Sequence, residues 1–161
     1  MAIKIHGVSA PVQCINPVRD TWMITWHKEV DEEGITSLLS ETFEHKPSLA
    51  EIQEVILAWY NSEIDSHILS GFVWREMPVW LSMENQFNYK SAYDIAVQSN
   101  GKILPTFKFG TAEKPIYHKF KDLDDLEDFY LSAMTYVNET LAKGWALKDA
   151  IDWREYSDLL D

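Results

Sequence analysis

Stretches of helical periodicity alternate along this chain with pairs of short apolar runs joined by turns. That order constrains the fold more than any motif does. Leu123, Leu126, Tyr130, Ala133, Val137 and Leu141 recur at three- and four-residue steps. They predict a helix that Asp122 caps and Lys143-Gly144 ends. An earlier helix begins at Ser48, with Glu51 at the reciprocal capping position and Leu49, Ile52, Ile56, Trp59 and Tyr60 as its stripe. Asn61 reads as its stop, and Ile64, Ile68 and Leu69 as a separate short turn ending at Gly71. Ser82 opens a third helix of about four turns that closes at Asn100-Gly101.

Two hairpins fit between the helices. Phe72-Val73-Trp74 and Val79-Trp80-Leu81 flank a four-residue loop, Arg75-Glu76-Met77-Pro78. Residues 104–109 and 115–120 flank Gly110-Thr111-Ala112-Glu113-Lys114. A last short helix is expected over residues 145–153. Residues 1–46 read as strands and turns. Trp22, Ile24 and Trp26 alternate with Met23, Thr25 and His27, and residues 35–43 form a second strand beyond the Asp31-Glu32-Glu33-Gly34 turn. The fold class is therefore α+β, with short antiparallel hairpins alternating with three main helices, not a parallel doubly wound sheet. The expected organisation is an N-terminal strand-rich arm at 1–46 and an α+β domain at 47–161. The expected core includes Trp80, Phe87, Ile52, Ile56, Leu126, Tyr130 and Val137.

Composition narrows the function classes. Apolar residues make up 46% of 161 and aromatics 13%, enough to offset the entropy of ordering one domain. The net charge of −12 implies an acidic surface that repels phosphate backbones, so no nucleic-acid partner is expected. Residues 122–161 hold eleven carboxylates against three cations, a net of −8, which reads as a solvated helix face or a docking surface for a basic partner. Cys14 is alone, so no intrachain disulfide forms, which fits a reducing cytosol. No signal-peptide layout and no window of about 20 apolar residues stands out, so no membrane partner is expected.

Chemistry-bearing patterns are scarce. His6, His27, His45, His67 and His118 are scattered without zinc spacing, no glycine-rich loop opens a helix, and no nucleophile elbow surrounds a serine. Catalytic residues, metal ligands and cofactors are all expected to be absent. Asp149 and Asp152 lie three apart and could pair for acid–base work, but fit a solvated acidic face better. The most unusual stretch holds Glu84, Asn85, Gln86 and Asn88 in the first turns of a helix. Such residues favour a helix start. Beside Trp74 and Trp80 they could also form a polar patch that recognises a peptide or sugar. Trp22, Ile24 and Trp26 are expected to give the arm a sticky face for self-association or docking by strand pairing.

Four segments carry a resemblance: KPSLAEI (46–52), SGFVWREMPVWLSMENQFNYK (70–90), LPTFKFG (104–110) and GWALKDAIDW (144–153). Across roughly two-thirds of the chain, and leaving the first 46 residues uncovered, the sequence resembles a domain-of-unknown-function family of phages and prophages of gut bacteria. The last segment is similar to an ending common in phage tail-associated proteins. The family has no assigned catalytic residues, so none is carried over. The resemblance implies a non-enzymatic virion- or tail-associated structural or assembly protein. Its partners would be other virion proteins or itself, and its location the virion, with the bacterial host cytoplasm during assembly. A module recognising a host glycan or peptide, and a cell-wall hydrolase, are the alternatives.

Overall fold

A computed structural model describes residues 2–160, so the outermost residue of the expected arm, Met1, and that of the expected domain, Asp161, lie outside the described residues. The chain is α+β, as its pattern predicts. It forms two compact units, one of Met1–Tyr60 with Lys148–Asp161 and one of Asn61–Leu147. This division differs from the boundary expected near residue 46. The unit boundaries fall inside two helices, α1 (Leu49–Ser70) and α3 (Leu123–Asp149).

The first unit contains β1 (Ile3–His6), β2 (Val12–Asn16), β3 (Thr21–Val30) and β4 (Thr36–Phe43). They form one antiparallel sheet in the order β1-β4-β3-β2, twice the strands the sequence suggests. In β3 the period of two sends Trp22, Ile24 and Trp26 to one face, as expected. That face is core and not contact surface, because Ile24 and Trp26 are buried with Val12, Ile52, Ile56 and Tyr156. The first half of α1 supplies Ile52 and Ile56. The short α4 (Arg154–Ser157) supplies Tyr156, whose hydroxyl donates to Thr25 O at 3.1 Å. Burial pushes that phenol up to about 12. The N-terminal segment is thus integral to this unit.

The start of α1 is built as its sequence states. Ser48 N and Oγ donate to Glu51 Oε2, and Glu51 N donates back to Ser48 Oγ. Those bonds, with His45 on Oε1, hold the Glu51 carboxyl down at about 2. Asn61 does not end the helix: asparagine costs only a few tenths of a kcal/mol there, about what tertiary packing routinely overrides. The stop is Gly71, where a Cβ would lie 2.2 Å from Tyr136 Oη.

The second unit adds β5 (Phe72–Trp74) and β6 (Met77–Val79), α2 (Met83–Gln98), and β7 (Thr106–Gly110) with β8 (Pro115–Lys119). Each strand pair is an antiparallel ribbon. The β5–β6 turn is the two residues Arg75 and Glu76, at φ 47° and 66°, not a four-residue loop. Tight hairpins need that left-handed pair, which Asn-Gly usually supplies. α3 runs through Gly144 to Asp149, and the expected helix over 145–153 is its last turn and a bend before α4. Gly144 is a close approach, not a stop: a Cβ there would meet Ile64 Cδ1 at 2.2 Å.

The core of this unit is aromatic: Phe72, Trp74, Tyr89, Phe109, Phe120 and Phe129 with Val79, Leu81 and Leu126. Of the expected core residues in the chain, Ile52, Ile56 and Leu126 are buried, Tyr130 and Val137 half-buried, and Trp80 and Phe87 exposed. Phe87 is two residues from buried Tyr89, and residues two apart on a helix face different ways. No helix among the described residues is long and apolar enough to cross a membrane.

Candidate functional site

Two arrangements in the second unit bear functional chemistry. The first surrounds the start of α2. Ser82 Oγ accepts from Asn85 N at 3.2 Å and caps the helix. Asn85 Nδ2 then donates to Trp80 O and Gln86 Nε2 to Leu81 O, each at 2.8 Å. Two amides expected to recognise a ligand therefore fasten the segment that carries Trp80. Glu84 and Asn88 remain exposed. Trp80 is 53% exposed, Met83 84% and Phe87 71%. Met83 and Phe87, four apart, share one helix face. A groove of about 500 Å³ opens beside Trp80, lined by Pro78, Val79, Lys108, Phe109 and Thr111 among others.

Trp74 does not join this patch. It is buried, and its Nε1 donates to Asp128 Oδ2 at 3.0 Å. It belongs to the second arrangement, a polar network on α3. Arg75 lies over the Trp74 ring at 4.2 Å and donates to Asp125 Oδ1 at 2.7 Å and Asp128 Oδ2 at 2.8 Å. His118 of β8 reaches Asp125 Oδ2 at 3.4 Å, and Lys121 N donates to the same oxygen. The Asp125 side chain is 3% exposed. Burial pushes its carboxyl up, but the bonds from Arg75, Lys121 N and His118 outweigh that and leave it below the ordinary carboxylate value.

A His–carboxylate pair is the geometry of an acid–base dyad. Here both Asp125 oxygens are held by cationic or backbone donors, so the carboxylate joins the β5–β6 turn, β8 and α3. Sequence reasoning missed this network. Its one visible signal was Asp125 on the apolar side of the α3 stripe, next to Leu126. Arg75→Ala should destabilise the chain by about 2–3 kcal/mol at pH 7, less than a fully buried pair because Arg75 is half exposed. In the parent chain the lowered Asp125 value contributes stability above about 3.8 that is lost as pH falls through the folded value. In the variant the bonds from Arg75 no longer oppose burial, so the carboxyl shifts upward from its parent value and protonation relieves part of the cost. The gap in urea midpoint between the two proteins should narrow from pH 7 to about pH 4.5. A gap that widens instead would show that Arg75 does not compensate Asp125.

The remaining expected residues lie in the first unit. Trp22 is half-buried, Ile24 and Trp26 are interior, and Trp26 Nε1 is buried without a partner among the described residues. Asp152 is held by Arg154 and shows no pairing with Asp149. Among the described residues, no group of three or more His, Cys, Asp or Glu is placed to hold a metal ion.

The site thus defines an α+β protein with exposed Trp80, Met83 and Phe87 around one helix start and a carboxylate network fastening its hairpins. The chain belongs to the family described as Domain of unknown function (DUF4376), which matches residues 51–160. No curated protein and no solved structure matches it. The family match begins inside α1 and omits β1–β4.

Proposed function

We infer that this chain is a non-enzymatic structural or assembly protein that acts through protein–protein contacts, in the particle or tail of a phage or prophage. The observation that carries the contact reading is the exposure of Trp80, Met83 and Phe87 at the start of α2. Large apolar side chains grouped on a surface lose water on docking, and aromatic anchors dominate contact energies. Asn85 and Gln86 fix the loop that presents Trp80, so little ordering is left to offset on binding. The phage setting rests on the resemblance of residues 46–153 described above. A second reading, stacking of a host sugar on Trp80, is favoured by the groove beside that ring.

The test replaces Trp80 and Phe87 together by Ser in the full chain. Both are exposed, so each change should alter stability by within about 0.5 kcal/mol. The parent chain should be found by mass spectrometry in purified phage particles or their assembly intermediates, and the double variant should be missing from them. Absence of the parent chain from every such fraction would refute the assembly reading. Retention of the variant would move the contact away from α2.

A further inference from the structure

The net charge of −12 conceals a segregated basic ribbon. Residues 102–121 hold Lys102, Lys108, Lys114, Lys119 and Lys121 against one acid, Glu113. All five lysines are exposed, and none has a side-chain hydrogen bond or ion pair among the described residues. For Lys108 and Lys119 the β7–β8 register explains the display. Lys108 pairs with Tyr117 and Thr106 with Lys119, so these four share the outer face. Phe107, Phe109 and His118 take the other face, toward the core. In a protein with 26 carboxylates, Lys108 and Lys119 give the ribbon a cationic outer face without partners, and Lys102, Lys114 and Lys121 flank its strands in sequence, so the face is complementary to acid.

The same chain carries such acid in a rigid form. Asp31, Glu32 and Glu33 stand at the exposed β3–β4 turn. Asp31 Oδ1 accepts from Glu33 N at 3.0 Å and Ile35 N at 2.8 Å, which fixes the turn. Glu32 and Glu33 have no side-chain partner among the described residues. We propose that the β7–β8 ribbon of one copy docks the Asp31-Glu32-Glu33 turn of a second copy. A long polyanion such as nucleic acid would run past the ribbon onto the chain's other carboxylates, Asp122 and Asp124 first among them, whereas a short acidic turn touches only the local net of +4 in residues 102–121. At physiological salt the Debye length is about 8 Å, so repulsion between whole copies is largely screened while touching pairs persist. Turn and ribbon are different surfaces, so the contact is made either reciprocally in a two-fold dimer or head-to-tail in rings and filaments. This deepens the assembly reading by naming a partner, and it rests on residues distinct from Trp80 and Phe87.

Sedimentation of the full chain tests it. The parent protein should self-associate at about 0.15 M salt, and at least about tenfold more weakly at about 1 M, where the Debye length falls to about 3 Å. Lys108→Glu with Lys119→Glu, and separately Glu32→Lys with Glu33→Lys, should each give folded monomers by circular dichroism. Mixing the two variants should restore association, because each then offers the charge the other lacks. A parent chain that stays monomeric, variants that associate like the parent, or folded variants that remain monomeric when mixed would each overturn the proposal. Binding of oligothymidylate that the lysine variant loses would also overturn it, by assigning the ribbon to nucleic acid. None of these results bears on whether Trp80 and Phe87 are needed for particle incorporation, so the two readings fail separately.

Discussion

A chain beginning at Lys46 should not retain the first unit's fold. It lacks Val12, Ile24 and Trp26, which cover Ile52 and Ile56 of α1 and Tyr156 of α4. Burying a large apolar side chain contributes about 1.5–3 kcal/mol, so losing three removes a sum comparable with the whole stability of a domain, about 5–15 kcal/mol. The shortened chain should bind a hydrophobic dye, and amides of residues 49–60 should exchange far faster than in the parent. A point change keeps the result interpretable if the shortened chain precipitates. Ile24→Asp in the full chain buries an unpaired carboxylate at the same place and should expose the same amides. If the shortened chain keeps slow exchange over residues 49–60 and binds no dye, residues 1–46 are an appended arm after all. The family match, which begins at residue 51, makes that outcome worth measuring.

What the sequence discloses and what it withholds follow from different physics. Helix starts were legible because caps are local chemistry: Ser48 with Glu51, and Ser82, act as their residue types predict. Helix ends at Asn61 and Gly144 were misread because tertiary packing decides them. Gly144 is where Ile64 comes close, and no local pattern separates that from a stop. β1 and β2 went unseen because both are short edge strands whose exposed side chains blur the period of two. The β5–β6 turn was misplaced because Arg75 and Glu76 occupy a left-handed pair without the usual glycine. At the candidate site, the grouping of Glu84, Asn85, Gln86 and Asn88 was visible, but the division of labour was not. Hydrogen bonds to Trp80 O and Leu81 O take up Asn85 and Gln86, and that pairing exists only in the folded chain. The lysine ribbon was hidden by averaging, since a net charge says nothing about segregation.

Phe129→Ala should be the most damaging single truncation in the second unit, at about 3–5 kcal/mol. Phe129 is fully buried in α3. Its ring lies 5.0 Å from those of Tyr89 and Phe109, 5.2 Å from Trp74, 5.6 Å from Phe120 and 5.8 Å from Phe107. These neighbours come from α2 and both ribbons, so the ring is where those elements meet α3. Aromatic pairs at such separations contribute about 0.5–1.5 kcal/mol each beyond area burial, and rigid rings on several sides leave little room for the cavity to collapse. The natural comparison is Phe87→Ala. It deletes the same atoms from a ring that is 71% exposed and should change stability by within about 0.5 kcal/mol. Urea unfolding of both variants decides the matter. A loss below about 1.5 kcal/mol for Phe129→Ala would mean that the ring is not the packing centre of the unit, because removal of a well-packed phenyl costs at least twice that. A large loss for Phe87→Ala would mean that the exposed patch at α2 serves the fold, and it would remove the observation on which the contact reading depends.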